Sequence, residues 1–203
     1  MARAPSALEA VNANRIGCPT TNQRVSRSSQ PLTPSGSEGV VALMQLTLVH
    51  HGDAVGPDVD ARRPLSLVGR AEVDRLATLA AGRGVKPTVV WHSGKLRAKQ
   101  TAEAFWRSCN ALAPLSAARD LQPGDPPTWM RDRLREEALG ATGEASILSV
   151  LSILIVGHFP HLPRLLTLLV TGGETVTPSF PQHGLVHLES NDSGNTWQEL
   201  WRS

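Results

Sequence analysis

The sequence predicts an α/β protein: a three-layer sandwich in which helices flank a mostly parallel central sheet. Short apolar segments of strand character alternate with helical segments along most of the chain. Parallel sheets with crossover helices show this alternation. The 203 residues, 40% hydrophobic and 19% charged, also suit one globular domain with a sizeable core.

Residues 1–43 differ in composition from the rest of the chain. They mix Ala, Ser, Pro, Asn, Thr and Gln without periodicity, and residues 28–37 have the composition of a linker. We expect residues 1–43 to be a disordered extension and residues 44–203 to form the domain. Deletion of the extension should therefore leave fold and activity intact. Met44 stands directly before the first strand, so one possibility is that the domain begins there.

The first predicted strand ends in two histidines and a glycine. Residues 46–49 form a short aliphatic and β-branched run, typical of a buried strand whose carboxyl end lies at the ligand-binding edge of a sheet. Successive strand residues point to opposite faces, so His50 and His51 share one site only if the backbone turns there. Gly52 permits that turn.

A second strand and two helices follow. Ser66 is a good N-cap for a helix that contains leucines at helical spacing and is stopped by Gly82 and Gly84. Residues 88–91 predict another short buried strand, and a helix is expected from Lys95 to about Cys109. This repeats the order of strand, loop and helix seen in the first unit.

The remaining third of the chain predicts two helices, a strand and a hairpin. Residues 128–139 form a charged amphipathic helix, for whose buried face the sequence offers Trp129, Met130 and Leu134. Residues 147–156 predict the third strand, followed after Pro160 by a leucine-rich helix. Segments 184–189 and 196–201 flank the turn residues 191–194, which predicts an antiparallel pair at the edge of the sheet.

Candidate functional groups stand at three strand-to-helix junctions. His50 and His51 follow the first strand, Arg97 lies in the first turn of the helix after the second, and His158 follows the third. Because the carboxyl ends of parallel strands meet at one edge, these groups should converge. Imidazoles, a guanidinium and a helix N-terminus form a cationic pocket suited to a tetrahedral dianion such as phosphate.

Four segments of the chain resemble the histidine phosphatase superfamily, and within it the short phosphohistidine phosphatases of SixA type. These segments are residues 48–54, 63–66, 93–102 and 155–160, in the order and at the spacing of the family. The resemblance covers Met44 to the C-terminus and implies a phosphoglycerate mutase-like fold. It implies a phosphatase that uses neither a metal ion nor a cofactor.

The resemblance also implies roles for individual residues. His51 would be the nucleophile that forms a phosphohistidine intermediate, which water then hydrolyses. Arg97 and His158 would bind the phosphoryl oxygens and stabilise the charge that develops on them. Arg63 is a weaker candidate for the same pocket, since it could equally be a packing or surface arginine.

The chain departs from the family at His50, where the signature has arginine. A fork of permanently charged donors becomes a single imidazole, so weaker phosphate binding is expected unless His50 is protonated or Arg63 and the neighbouring Arg62 contribute. We expect cationic neighbours to lower the pKa of His50 and a bound dianion to raise it, which makes phosphate affinity fall as pH rises. The alternative function is a catalytically impaired protein that binds phosphate or phosphohistidine.

The general acid is a second open point. Asp60 is the best candidate, with Asp53 and Asp58 as alternatives, although each could simply cap a loop. A phosphohistidine substrate makes less demand on such an acid, because its imidazole can leave already protonated. The short loop therefore favours a phosphoramidate or protein substrate.

A zinc site is the rival interpretation of the histidines, built from His50, His51, His158 and His161. It leaves Arg97 repelling the cation, and no carboxylate or cysteine spacing of a metal motif accompanies it. The other histidines are expected to be structural or on the surface, with His161 a candidate for the pocket entrance. These others are His92, His161, His183 and His187.

The expected partners follow from the site and from the composition. They are a phosphorylated protein, for example a histidine-phosphotransfer domain, or a small phosphate compound. The formal charge of +2 comes from residues 1–43, so no nucleic-acid partner is expected.

The chain lacks an apolar run of membrane-spanning length, and its two cysteines form no disulfide framework. We expect a monomer in the cytoplasm.

Overall fold

Six strands form one mixed sheet in the computed structural model, which describes residues 43–141, 150–173 and 179–203. The strands in chain order are β1 Met44–His50, β2 Val89–His92, β3 Leu115–Ala117, β4 Leu151–Gly157, β5 Leu185–Ser190 and β6 Gln198–Arg202. Their spatial order is β3-β2-β4-β1-β5-β6. The first four strands are parallel, whereas β5 and β6 are antiparallel to their neighbours. The mostly parallel sheet with an antiparallel edge is confirmed.

Helices cover both faces of this sheet. They are α1 Leu67–Gly82, α2 Leu96–Cys109, α3 Pro127–Ala141 and α4 His161–Thr171, with a 3₁₀ turn at Arg119–Leu121. Helices α1 and α2 pack into one apolar core against one face, and α3 and α4 pack into a second core against the other. The three-layer sandwich is therefore confirmed.

Strand β4 shows how two cores share one sheet. Ile153 and Ile155 belong to the core under α3 and α4, while Leu154 and Val156 belong to the core under α1 and α2. All four side chains are fully buried. A strand covered on both faces has no polar alternation, which accounts for its continuous apolar run.

The start of α1 is fixed against the turn after β1. The Ser66 side chain accepts a hydrogen bond of 2.9 Å from the Gly69 backbone N–H, as the predicted N-cap requires. A Cβ atom at Gly69 would lie 2.2 Å from the carbonyl oxygen of Asp53. Only glycine therefore lets the helix approach this turn so closely.

The structure differs from the predicted elements at three points. Trp129 does not join the buried face of α3: it is 54% exposed, whereas Met130 and Leu134 are fully buried together with Ala138 at the same four-residue spacing. Strand β3 was not predicted, because three residues are too few to show a periodic pattern. The third predicted strand begins at Leu151, and residues 147–149 lie outside the described residues.

The predicted N-terminal extension lies, except for Leu43, outside the described residues. Among those that are described, none of the helices combines the length and apolar character that a membrane crossing requires.

Strands β1 and β4 are neighbours, and His50 pairs with Gly157 at their carboxyl ends. The turn after β1 and the turn after β4 are thereby placed side by side.

Candidate active site

A cavity of about 340 Å³ opens at the carboxyl ends of the parallel strands. It collects side chains from the turns after β1 and β4, the loop before α1, the first turn of α2 and the segment before β5. Its polar lining includes His50, His51, Arg63, Arg97, His158 and His183. The predicted convergence of His50, His51, Arg97 and His158 is thus observed in the structure.

The ring of His51 is held in one tautomer. Its Nδ1 donates to the carbonyl oxygen of Gly52 at 2.8 Å, and because that oxygen can only accept, the proton is on Nδ1. The Nε2 lone pair accepts a hydrogen bond of 3.0 Å from Arg97 Nε. Burial lowers the pKa of His51 to about 4, a shift that Arg97 reinforces and the bond to Gly52 opposes. His51 is therefore neutral at pH 7, with Nε2 available as a nucleophile.

His50 is locked as a neutral donor. Its Nδ1 accepts a hydrogen bond of 3.0 Å from the His183 backbone N–H, so its proton lies on Nε2. The ring is stacked between Phe159 and His183, with centroid distances of 4.2 Å and 5.1 Å. Burial, with repulsion from His51, lowers the pKa of His50 to about 3. The turn also brings the rings of His50 and His51 to 4.5 Å, so both histidines belong to one site.

His158 is oriented by a serine that sequence reasoning did not single out. Ser93 Oγ and His158 Nε2 lie 2.6 Å apart and share a buried hydrogen bond. Burial, with repulsion from His51 and Arg97, lowers the pKa of His158 to about 3. The position of Ser93 directly after β2 was the available signal, because strands β2 and β4 are paired and end at the same edge.

Two arginines supply the positive charge of the cavity. Arg97 is half-buried, and burial together with repulsion from Arg63 lowers its pKa, although a guanidinium stays charged in a protein. Arg63 lines the cavity and its Nε donates to the carbonyl of Val55 at 3.3 Å. Its backbone has φ of 51°, a conformation uncommon for residues other than glycine.

The three candidate carboxylates lie in different places. Asp60 does not line the cavity: its side chain accepts hydrogen bonds from the backbone and side chain of Arg62, and these bonds lower its pKa. A proton donor needs the opposite shift, so this placement argues against Asp60 in that role. Asp53 lines the cavity and accepts a hydrogen bond of 2.6 Å from Ser66 Oγ. Asp58 is exposed on the loop.

The remaining histidines divide into three buried residues and one cavity residue. His92 accepts a hydrogen bond from the Gly94 N–H, and His187 bonds to Thr47. His161 is fully buried and does not line the pocket entrance. His183, expected to be structural or on the surface, lines the cavity. Its contacts with His50 and His51 span more than 130 positions, which no local pattern reveals.

The geometry gives no support to the zinc interpretation. His161 lies apart from the cavity that holds His50, His51 and His158. Over residues 43–141, 150–173 and 179–203, no group of three or more His, Cys, Asp or Glu is arranged to hold a metal ion.

Comparison with known proteins identifies the fold. No protein-family model and no curated protein sequence matches the chain. Among solved structures, the protein histidine phosphatase SixA complexed with tungstate is 24% identical with a TM-score of 0.67, over 78% of this chain and 96% of that one. A mycobacterial glucosyl-3-phosphoglycerate phosphatase is 12% identical with a TM-score of 0.58, over 78% and 97%.

A third solved structure extends the likeness. The phosphoglycerate mutase of Bacillus anthracis is 12% identical with a TM-score of 0.56, over 80% of this chain and 93% of that one. The chain therefore has the phosphoglycerate mutase-like fold of the histidine phosphatases. At the level of fold, this confirms the resemblance that the four sequence segments indicated.

Proposed function

We propose that this chain is a phosphatase that removes phosphate from phosphohistidine on a protein through a phosphohistidine intermediate on His51. The main observation behind this proposal is the state of His51. Its ring is neutral with the proton fixed on Nδ1, and its Nε2 lies beside Arg97 in a cavity that holds a second arginine. The likeness to SixA, whose solved structure holds the tetrahedral oxyanion tungstate, supports this proposal.

In the first step, Nε2 of His51 attacks phosphorus and the leaving group departs on the opposite side. The hydrogen bond that Arg97 Nε donates to this lone pair is transferred to a phosphoryl oxygen when the substrate binds. The bond from Nδ1 to Gly52 remains, and it stabilises the positive charge that the ring acquires on phosphorylation. Water then attacks the phosphorylated ring and releases inorganic phosphate.

Stabilisation of the transition state comes from fixed donors around the phosphoryl group. Arg97 and Arg63 supply permanent charge, His50 supplies a neutral N–H from Nε2, and Ser93 orients His158. These donors are in place before reaction, so they need little reorganisation as charge spreads over the phosphoryl oxygens. The residues of this chain thus provide the chemistry of the phosphoryl transfer.

A phosphorylated protein, such as a histidine-phosphotransfer domain, is the substrate we propose, acted on in the cytoplasm by a monomeric enzyme. A phosphohistidine can lose its imidazole already protonated, so this substrate class tolerates the placement of Asp60 outside the cavity. Small phosphate compounds remain the alternative substrates.

One observation favours a second function, that of a phosphate- or phosphohistidine-binding protein without turnover. His50 is neutral and offers a single donor where the family signature has arginine. A protein that only binds phosphate does not form a covalent bond to His51. Formation of the phosphoenzyme therefore separates the two functions.

The test is turnover and trapping of a phosphoenzyme with a phosphohistidine protein and with aryl phosphates. We expect His51→Ala to abolish turnover and labelling, and Arg97→Ala and His158→Ala to lower kcat/KM by roughly two to three orders of magnitude. His92→Asn is the control, a buried histidine outside the cavity whose acceptor of the Gly94 N–H can be replaced by the asparagine oxygen. Full activity in His51→Ala would refute the mechanism, and absence of labelling in the wild-type chain would favour the binding function.

A further inference from the structure

His183 is tied to both histidines of the turn after β1. Its backbone N–H donates to His50 Nδ1 at 3.0 Å, and its own Nδ1 lies 2.7 Å from the carbonyl oxygen of His51. The rings of His183 and His51 are 6.0 Å apart between centroids. These contacts place His183 beside the nucleophile at a fixed orientation.

The bond to His51 decides which nitrogen of His183 can exchange a proton. A carbonyl oxygen only accepts, so Nδ1 carries a proton and Nε2 is the nitrogen whose lone pair is free to accept one. Nε2 has no hydrogen-bond partner among the residues that the structure describes, and the half-buried ring lines the cavity. By contrast, Nε2 of His51 is engaged by Arg97 and that of His158 by Ser93.

The backbone of His183 is a second, independent indication. Three residues other than glycine have positive φ in the described part of the chain, and two of them, Arg63 and His183, line this cavity. The φ of His183 is 54°. Left-handed conformations of such residues are uncommon and concentrate where a site fixes a side chain.

We propose that His183 is the general acid and base of the reaction, and that the cavity therefore also hydrolyses phosphate monoesters of poor leaving groups. This inference rests on the proposed function of His51.

In the first step the bond between phosphorus and the substrate oxygen breaks, and the oxygen takes the proton from Nε2 of protonated His183 as His51 Nε2 bonds to phosphorus. In the second step neutral His183 takes a proton from water, whose oxygen bonds to phosphorus as the bond to His51 breaks. His183 is protonated again, and hydrogen phosphate leaves.

His183→Asn is the sharpest variant for this proposal. The asparagine amide can replace Nδ1 as donor to the His51 carbonyl, and asparagine tolerates positive φ better than most residues. The substitution removes Nε2, the nitrogen to which the proposal assigns proton transfer. His92→Asn makes the same exchange outside the cavity and is the matched control. Substrates are phenyl phosphate, whose leaving group needs a proton, and 2,4-dinitrophenyl phosphate, whose leaving group does not.

The value of kcat/KM reports the steps up to release of the leaving group. We expect His183→Asn to lower kcat/KM for phenyl phosphate by about 100-fold or more, and that for dinitrophenyl phosphate by less than about 3-fold. For dinitrophenyl phosphate, kcat should fall and a burst of dinitrophenolate should appear, because water attack lacks its base. Equal losses for both substrates, or a loss for neither, would overturn the proposal.

A measurement on the wild-type protein keeps the proposal testable if the variant fails to fold. With proton donation from His183, kcat/KM for a series of aryl phosphates should depend weakly on the pKa of the leaving phenol, and a steep dependence would refute the role. Labelling of the phosphoenzyme distinguishes failure of the role of His183 from failure of the proposed phosphatase function. If His51 is labelled but the leaving-group pattern is wrong, only the role of His183 fails, whereas loss of labelling removes the proposed function itself.

Discussion

Replacing His50 with arginine would exchange one neutral hydrogen-bond donor for a permanently charged, forked one. A hydrogen bond between neutral groups contributes about 1 kcal/mol and one with a charged group about 1.5–3 kcal/mol. We therefore expect His50→Arg to bind phosphate more tightly by about 1–2 kcal/mol, which is roughly 5- to 30-fold in Kd.

The same substitution should destabilise the fold. His50 is 6% exposed, its Nδ1 is the acceptor for the His183 N–H, and its ring stacks on Phe159. An orphaned buried donor costs about 1–3 kcal/mol and a lost aromatic pair about 0.5–1.5 kcal/mol. The melting temperature should fall by roughly 3–18 °C at 2–4 °C per kcal/mol, and phosphate should restore part of it.

The pH dependence of the two proteins is the decisive comparison. The pKa of His50 is lowered to about 3, so charging it at pH 7 requires a rise of about four units, or roughly 5 kcal/mol. Protonation of Nδ1 would also break its bond with the His183 N–H. We therefore expect, in contrast to the expectation from the sequence, that His50 stays neutral when phosphate binds and that an alkaline loss of affinity does not arise from it.

Calorimetric titration of phosphate into both proteins at pH 6, 7 and 8 measures this directly. The ratio of the two Kd values cancels the ionisation of phosphate itself, and we expect it to be constant across this range. If His50 were charged at pH 6 and neutral at pH 8, the ratio would start near one and grow with pH. A growth of more than about 5-fold would refute the neutral His50.

Two further predictions concern stability. The pKa values of His50, His51 and His158 are lowered from 6.5 to about 3, 4 and 3, so the unfolded chain binds more protons than the folded one between about pH 6.5 and pH 4. The free energy of unfolding should therefore fall as pH falls through this window, by up to about 1.4 kcal/mol per pH unit for each histidine before solvent screening. Calorimetry on His158→Asn should give a shallower dependence of the unfolding free energy on pH, and an unchanged slope would contradict the prediction. Gly69→Ala should destabilise the fold by about 1–3 kcal/mol because its Cβ meets the Asp53 carbonyl. Gly82→Ala is the control: no atom lies within 4 Å of the new Cβ, and the variant should be more stable by about 0.5–1 kcal/mol. Equal melting temperatures for the two variants would show that the close approach at Gly69 is not a constraint.

Local patterns in the sequence determined the elements and the position of the site. The Ser66 cap marked the start of α1, and the helix ends at Gly82, the first of the two glycines expected to stop it. The apolar runs located β1, β2 and β4 within a few residues. Because parallel strands present their carboxyl ends at one edge, the convergence of His51, Arg97 and His158 followed from their place after the strands. Such features depend on neighbours a few positions away, so one sequence suffices to predict them.

Only the tertiary structure decided what each group in the cavity can do. The tautomer of His50 depends on the backbone of His183, and the orientation of His158 depends on Ser93, 65 positions away. The position of Asp60 outside the cavity and that of His183 in its lining likewise depend on how separate loops meet. A pattern in sequence records which residue types are near in the chain, whereas protonation and reach depend on burial and hydrogen bonds between distant segments, which exist once the sheet has brought its strand ends together.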